Sequence, residues 1–198
     1  MTTKSIVPRA NGEGGLGTTA KHWGSAYIDD VHTTCTFPME LHAGEAIVYP
    51  ESEPGIYNTA TLPNGLSFLY VEFPFDDDHR ATWTKSLPET WTAAAIPAKV
   101  NAINLSALAG DVVWEIYGGR CADGEDLDMV LVSLGTVTVT FDGTTKRQLS
   151  AALNLTIPGN GNYAGFQLRR KYGDAGDTLD ASVGGLGINL EIPCTLNP

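Results

Sequence analysis

The feature that most constrains this chain is alternation. In Asp111–Gly118, DVVWEIYG, the residues Val112, Trp114 and Ile116 fall on one side of an extended strand, and Val113, Glu115 and Tyr117 on the other. The same period of two recurs downstream. RQLSAALNLTI places Leu149, Ala151, Leu153 and Leu155 together, and YAGFQLRRKY places Ala164, Phe166 and Leu168 inside with Gln167, Arg169 and Lys171 outside. LSFLYVEF (66–73), DMVLVSL and TVTVTF on either side of Gly135, TLDASVGG and LGINLEIP add further runs of the same kind. A side-chain period of two, broken by turn residues every eight to twelve positions, is the mark of an antiparallel sandwich or barrel. The fold class read from this is all-β, an antiparallel β-sandwich of jelly-roll type with eight or nine strands.

Composition agrees with that choice. Only 18% of residues are charged, below the usual quarter, while there are 22 glycines. Such a mix suits strands and tight turns better than surface helices. The net charge of -11 argues against nucleic acid as the main partner, because phosphate must be met by a basic face. It also argues against an anionic membrane surface, and no apolar run approaches the ~20 residues of a membrane span. Met1–Asn11 lacks the apolar stretch of a signal peptide. The cysteines, Cys35, Cys121 and Cys194, are odd in number and far apart in sequence. They read as free thiols of a protein made in a reducing cytoplasm.

The alternation does not begin at the N-terminus. Residues 1–62 are interrupted by proline or glycine at short intervals and keep only short apolar groups such as Ala46–Tyr49. They read as an extended arm that takes its order from a partner, ahead of a sandwich domain over 63–198. The one helical signal in the arm runs from Thr18 to Ala26, with Thr18 or Thr19 as N-cap. Between LSFLYVEF and the later runs lie Trp83 and Trp91, two large indoles that either plug an open end of the sandwich or stack on a ligand. Tyr172 is a third candidate for stacking.

Chemistry-bearing motifs are scarce. GEGGLG (12–17) lacks the frame of a dinucleotide loop, and no Lys-Ser or Lys-Thr follows it as in a phosphate loop. No GxSxG elbow and no CxxC occurs. The carboxylates of Asp123, Glu125, Asp126 and Asp128 could face a calcium ion, but their spacing is not that of an EF-hand, and a solvated hairpin loop explains them. The reading names no catalytic residue, no metal site and no cofactor.

Residues 6–33, IVPRANGEGGLGTTAKHWGSAYIDDVHT, resemble an element of tailed-bacteriophage fibres and other virion appendages. That element runs Ile-x-Pro, a short polar turn, Leu-Gly-Thr, then Lys-x-Trp and an aromatic strand ending in Asp. Ile6 and Pro8, Leu16, Gly17 and Thr18, Lys21 and Trp23, and Tyr27–Asp29 fill those places in order. The resemblance implies a homotrimeric structural protein of the virion, assembled in the bacterial cytoplasm, either a head decoration or head fibre or a short tail fibre. It makes Pro8, Leu16, Gly17, Trp23 and Tyr27 the expected attachment or trimer contacts, with capsid, portal or tail proteins as partners. The alternative is a module that binds a host surface glycan through Trp83, Trp91 or Tyr172.

Overall fold

The computed structural model describes residues 33–48, 57–62, 64–75, 79–126 and 128–196. Pro8, Leu16, Gly17, Trp23, Tyr27 and the helical signal at Thr18–Ala26 lie outside these. The described residues form eleven strands: β1 Thr33–His42, β2 Ile47–Val48, β3 Tyr57–Thr61, β4 Ser67–Phe73, β5 Arg80–Ser86, β6 Ile96–Asn104, β7 Ala109–Cys121, β8 Val132–Asp142, β9 Gln148–Leu155, β10 Tyr163–Arg170 and β11 Val183–Leu196. A single 3-10 turn, Ala43–Glu45, joins β1 to β2.

Two antiparallel sheets face each other. One follows the order β3-β4-β11-β6-β9, with β1 also paired to β11; the other follows β2-β5-β10-β7-β8. The chain is an antiparallel β-sandwich of jelly-roll type, as the alternation implied. The inward sets expected for β7, β9 and β10 are the inward sets observed: Val112, Trp114, Ile116, Leu155, Ala164, Phe166 and Leu168 are all fully buried. Each fully buried aliphatic or aromatic side chain of this size contributes about 1.5–3 kcal/mol. At the centre, Phe73 from one sheet meets Trp114 from the other edge to face, with ring centroids 4.9 Å apart and planes at 90°, the geometry that ring quadrupoles favour.

The domain boundary differs from the expected one at residue 62. Thr33–His42 pairs over its whole length with Gly187–Leu196 of β11. Ile47–Val48 joins β5, and Tyr57–Thr61 joins β4. Residues 33–61 therefore contribute three strands to the sandwich, and Leu41, Ala43 and Ala46 lie in its core. The partners of β1 and β2 are far away in sequence, whereas β3 pairs with β4, the next strand along. Gly187 makes the β1–β11 approach feasible: its φ is +135°, and a Cβ there would stand 2.1 Å from the Leu41 carbonyl oxygen.

Two other segments depart from their expected roles. The DMVLVSL run is strand only from Val132 onward, and Leu134 forms a bulge opposite the Ile116–Tyr117 step. Val130 and its neighbours instead cross the outer face of the second sheet. There a Cβ at Gly119 would stand 2.5 Å from the Val130 carbonyl oxygen, so glycine lets the two backbones touch. Trp83 does not plug an open end: it sits in the middle of β5 and points into the core.

Candidate functional site

The three aromatic residues singled out from sequence have different fates. Trp83 is only 2% exposed, and its Nε1 donates to the His42 carbonyl oxygen at 2.7 Å. It is a core residue whose polar edge fixes the end of β1, and it cannot stack on a ligand. Trp91 packs against the core beside Cys194. The Arg120 guanidinium lies 4.5 Å over its ring, a cation–π contact that occupies that face. Tyr172 is 52% exposed and lies on a cleft.

That cleft has a volume of about 360 Å³ and opens between the β4–β5 connection and the β10–β11 loop. Phe75 and Tyr172, both exposed, stand on it together with Gly173, Thr178, Leu179 and Asp180. Phe75 was not anticipated. The signal for it is an aromatic that falls just after β4, where the chain turns into the acidic run DDDH, so alternation no longer accounts for it.

The floor of the cleft is held from below by a buried ion pair. The Arg170 side chain is 1% exposed and that of Asp177 4%. Arg170 Nε donates to Asp177 Oδ2 at 2.9 Å and Nη2 to Oδ1 at 2.5 Å, a bidentate fork. Nη1 donates to the Ala181 carbonyl at 2.7 Å, and Nη2 also donates to that of Leu179. Asp177 Oδ2 accepts in addition from the Val113 amide at 3.2 Å. One guanidinium thus gathers three points of the twelve-residue loop 171–182 and ties it to the end of β10. The amides of Thr178 and Leu179 both donate to the Asp111 carbonyl, and the Asp111 amide donates to Thr178 Oγ1. The same loop is trimmed at its tip by Asp174. Its carboxyl accepts from the Gly176 amide at 2.9 Å and pairs with Lys171 at 3.1 Å. The amide first, and Lys171 next, hold the Asp174 carboxyl below the usual range.

A second cleft, about 500 Å³, opens at the opposite end of the same sheet and is lined by Ser86, Glu89, Asp123, Glu125, Asn162 and Tyr163. Its acidic loop closes on itself. Glu125 accepts from the Ala122 amide at 2.8 Å and from Asn160 Nδ2 at 3.2 Å, and these bonds, in that order, keep its carboxyl below the usual range. Asp126 accepts from the Asp128 amide at 3.2 Å. Among the described residues no group of three or more His, Cys, Asp or Glu is placed to hold a metal ion. Arg120 donates to the carbonyls of Gly159 and Gly161, which joins this loop to the β9–β10 turn.

Fold and clefts together define a β-sandwich with a recess at each end of one sheet, the smaller of them aromatic-rimmed. No protein-family model matches the sequence, and no curated protein matches it. Among solved structures the chain is similar to the C-terminal CBM6 of LamC from Zobellia galactanivorans, with a TM-score of 0.47 and 12% identity over 78% of this chain and 99% of that one. It is also similar to the carbohydrate-binding module CBM36 in complex with calcium and xylotriose, with a TM-score of 0.42 and 11% identity over 76% and 97%. A third is the K1 cleaved adhesin domain of Lys-gingipain from Porphyromonas gingivalis W83, with a TM-score of 0.44 and 12% identity over 82% and 99%. None of these likenesses is close enough to speak for what this chain binds or does.

Proposed function

We propose that the chain is a structural protein of a tailed-phage virion, a homotrimeric head decoration, head fibre or short tail fibre, whose β-sandwich is the part displayed. The observation that carries this reading is the ordered series Ile6, Pro8, Leu16–Thr18, Lys21, Trp23 and Tyr27–Asp29. It stands immediately ahead of β1, so whatever the series grips is coupled through three residues to the edge of a sheet. Trp23 and Tyr27 are large side chains with few rotatable bonds, of the kind that dominate protein interfaces. The reading includes no reaction. Replacing Trp23 with Ala is expected to leave the thermal unfolding of the protein unchanged and to remove it from purified particles. Incorporation at the wild-type level would sink the reading, and a monomeric mass for the full chain by light scattering would remove the trimer from it.

A second reading, in which the displayed sandwich binds a host surface glycan, is favoured by one arrangement. Phe75 and Tyr172 are exposed on the same cleft as Thr178 and Asp180. A sugar presents an apolar C–H face, which suits aromatic rings, and a rim of hydroxyls, which suits a carboxylate and a hydroxyl. Trp83 has no part in it, and Trp91 offers the cleft nothing. On a glycan array the full chain is expected to retain a ligand that Tyr172→Ala and Phe75→Ala each weaken at least about tenfold, the loss of one stacking contact. A wild-type chain that binds no glycan would remove this reading and leave the first intact.

A further inference from the structure

Cys35 on β1 and Cys194 on β11 stand directly opposite one another in the antiparallel ladder. Directly opposed residues of such a ladder project to the same face, with Cα atoms about 4.5–5.5 Å apart. Both ends of that range lie within the roughly 4.4–6.8 Å that a disulfide spans. The Cys35 thiol is pushed up from the ordinary thiol value by burial first and then by the Cys194 thiol opposite it, and Cys194 Sγ donates to the Ile192 carbonyl at 3.4 Å. All three cysteines are thiols in this structure. Cys194 is buried in the core, whereas Cys35 is half-exposed and packs against its edge. Cys121 is also buried, but it ends β7 in the other sheet and has Tyr163 as its ladder partner.

We propose that Cys35 and Cys194 are a site of covalent modification, a cross-strand dithiol that a small disulfide oxidant such as oxidised glutathione converts to a disulfide. The half-exposed Cys35 thiolate attacks one sulfur of the oxidant, its S–S bond breaks, and the first glutathione leaves as a thiolate that takes up a proton. Cys194 then loses its proton and attacks the Cys35 sulfur of the mixed disulfide, expelling the second glutathione. The protein loses two protons and two electrons, and one oxidised glutathione becomes two reduced ones. The product joins the first strand after the Ile6–Asp29 series to the last strand of the sandwich, so β1 can no longer be peeled from its sheet. This inference is independent of what the protein binds.

The test uses the full chain with oxidised glutathione, followed by digestion without reduction and mass mapping. The expected result is an intact mass lower by two hydrogens, one linked peptide pair containing Cys35 and Cys194, and Cys121 still open to alkylation after denaturation. The melting temperature is expected to rise by about 5 °C or more, since the closed loop is long, and dithiothreitol should reverse it. Cys121→Ser should behave as the wild type does, and Cys35→Ser should show no rise. A stable glutathione adduct on Cys35, a link to Cys121, a link between chains, or two thiols that alkylate as before would each overturn the proposal.

Discussion

Arg170 and Asp177 lie almost out of reach of water, and a charge taken out of water is costly unless every hydrogen-bonding group on it is met. Here the accounting is nearly complete. The guanidinium has a carboxylate and two loop carbonyls as acceptors, and the carboxylate has the guanidinium and a backbone amide as donors. The pair fixes a loop whose backbone would otherwise have few partners, and that loop forms one wall of the aromatic-rimmed cleft. Asp177→Asn keeps the shape and strands the Arg170 charge. It is expected to destabilise the fold by about 3–5 kcal/mol, the usual effect of removing one partner from a buried pair, as read from urea unfolding. A change below about 1 kcal/mol would mean that water reaches Arg170. Neither residue was legible as a pair. RRK looks like a solvated basic run, and only the face that period two assigns to Arg170 hints that one of these charges points inward.

At the scale of elements, the strands that were legible are those whose own sequence alternates between an apolar and a polar face. Leu149, Ala151, Leu153 and Leu155 mark β9 without any knowledge of β6. β1 was missed although it too alternates. In TTCTFPMELH the residues Cys35, Phe37, Met39 and Leu41 take every second place, but Pro38 breaks the run and Phe37 is exposed, and the partner strand β11 is about 150 residues away. Pro38 is tolerated because β1 has β11 as its only ladder partner among the described residues, so one side needs no donor there. The turns obey a different physics, that of short-range carboxylate caps. Asp142 accepts from the Thr144 amide at 3.1 Å and pairs with Arg147, Glu125 accepts from Ala122, and Asp174 from Gly176. All three carboxyls are held below their usual range, Asp142 chiefly by the Thr144 amide. Depressed folded-state values mean that this stabilisation is whole above the ordinary carboxylate pKa of about 4 and drains away as the pH falls through the lower folded-state values. Amide exchange at Ala122, Thr144 and Gly176 is therefore expected to stay protected from about pH 8 to pH 5 and to lose protection below about pH 4. Protection that fades between pH 8 and 5 would point to histidine instead.

For the molecule as a whole, the placement of β1, β2 and β3 in the two sheets sets where it can be cut. A chain starting at residue 63 would keep the alternating runs that look like a complete domain. It would lack the strand that covers most of β11 on one side, and with it Leu41, Ala43 and Ala46 of the core. Such a fragment is expected to precipitate or to lose cooperative unfolding, whereas a chain starting at about residue 30 should melt as the full chain does. Circular dichroism with a thermal ramp distinguishes them, and a cooperative transition from the 63–198 fragment would show that β1 is dispensable.

β11 is the strand that β1, β4 and β6 all require, and it is the last of the eleven to be translated. While the ribosome is still short of Leu196, the first sheet has no middle, and β1 waits with an open edge for a partner not yet made. Closing contacts of such long sequence separation makes folding slow and leaves strand edges exposed in the meantime. Nascent chains of this protein therefore complete their fold only after β11 leaves the exit tunnel, and in that interval neighbouring chains on one messenger are within reach of each other's unfinished sheets.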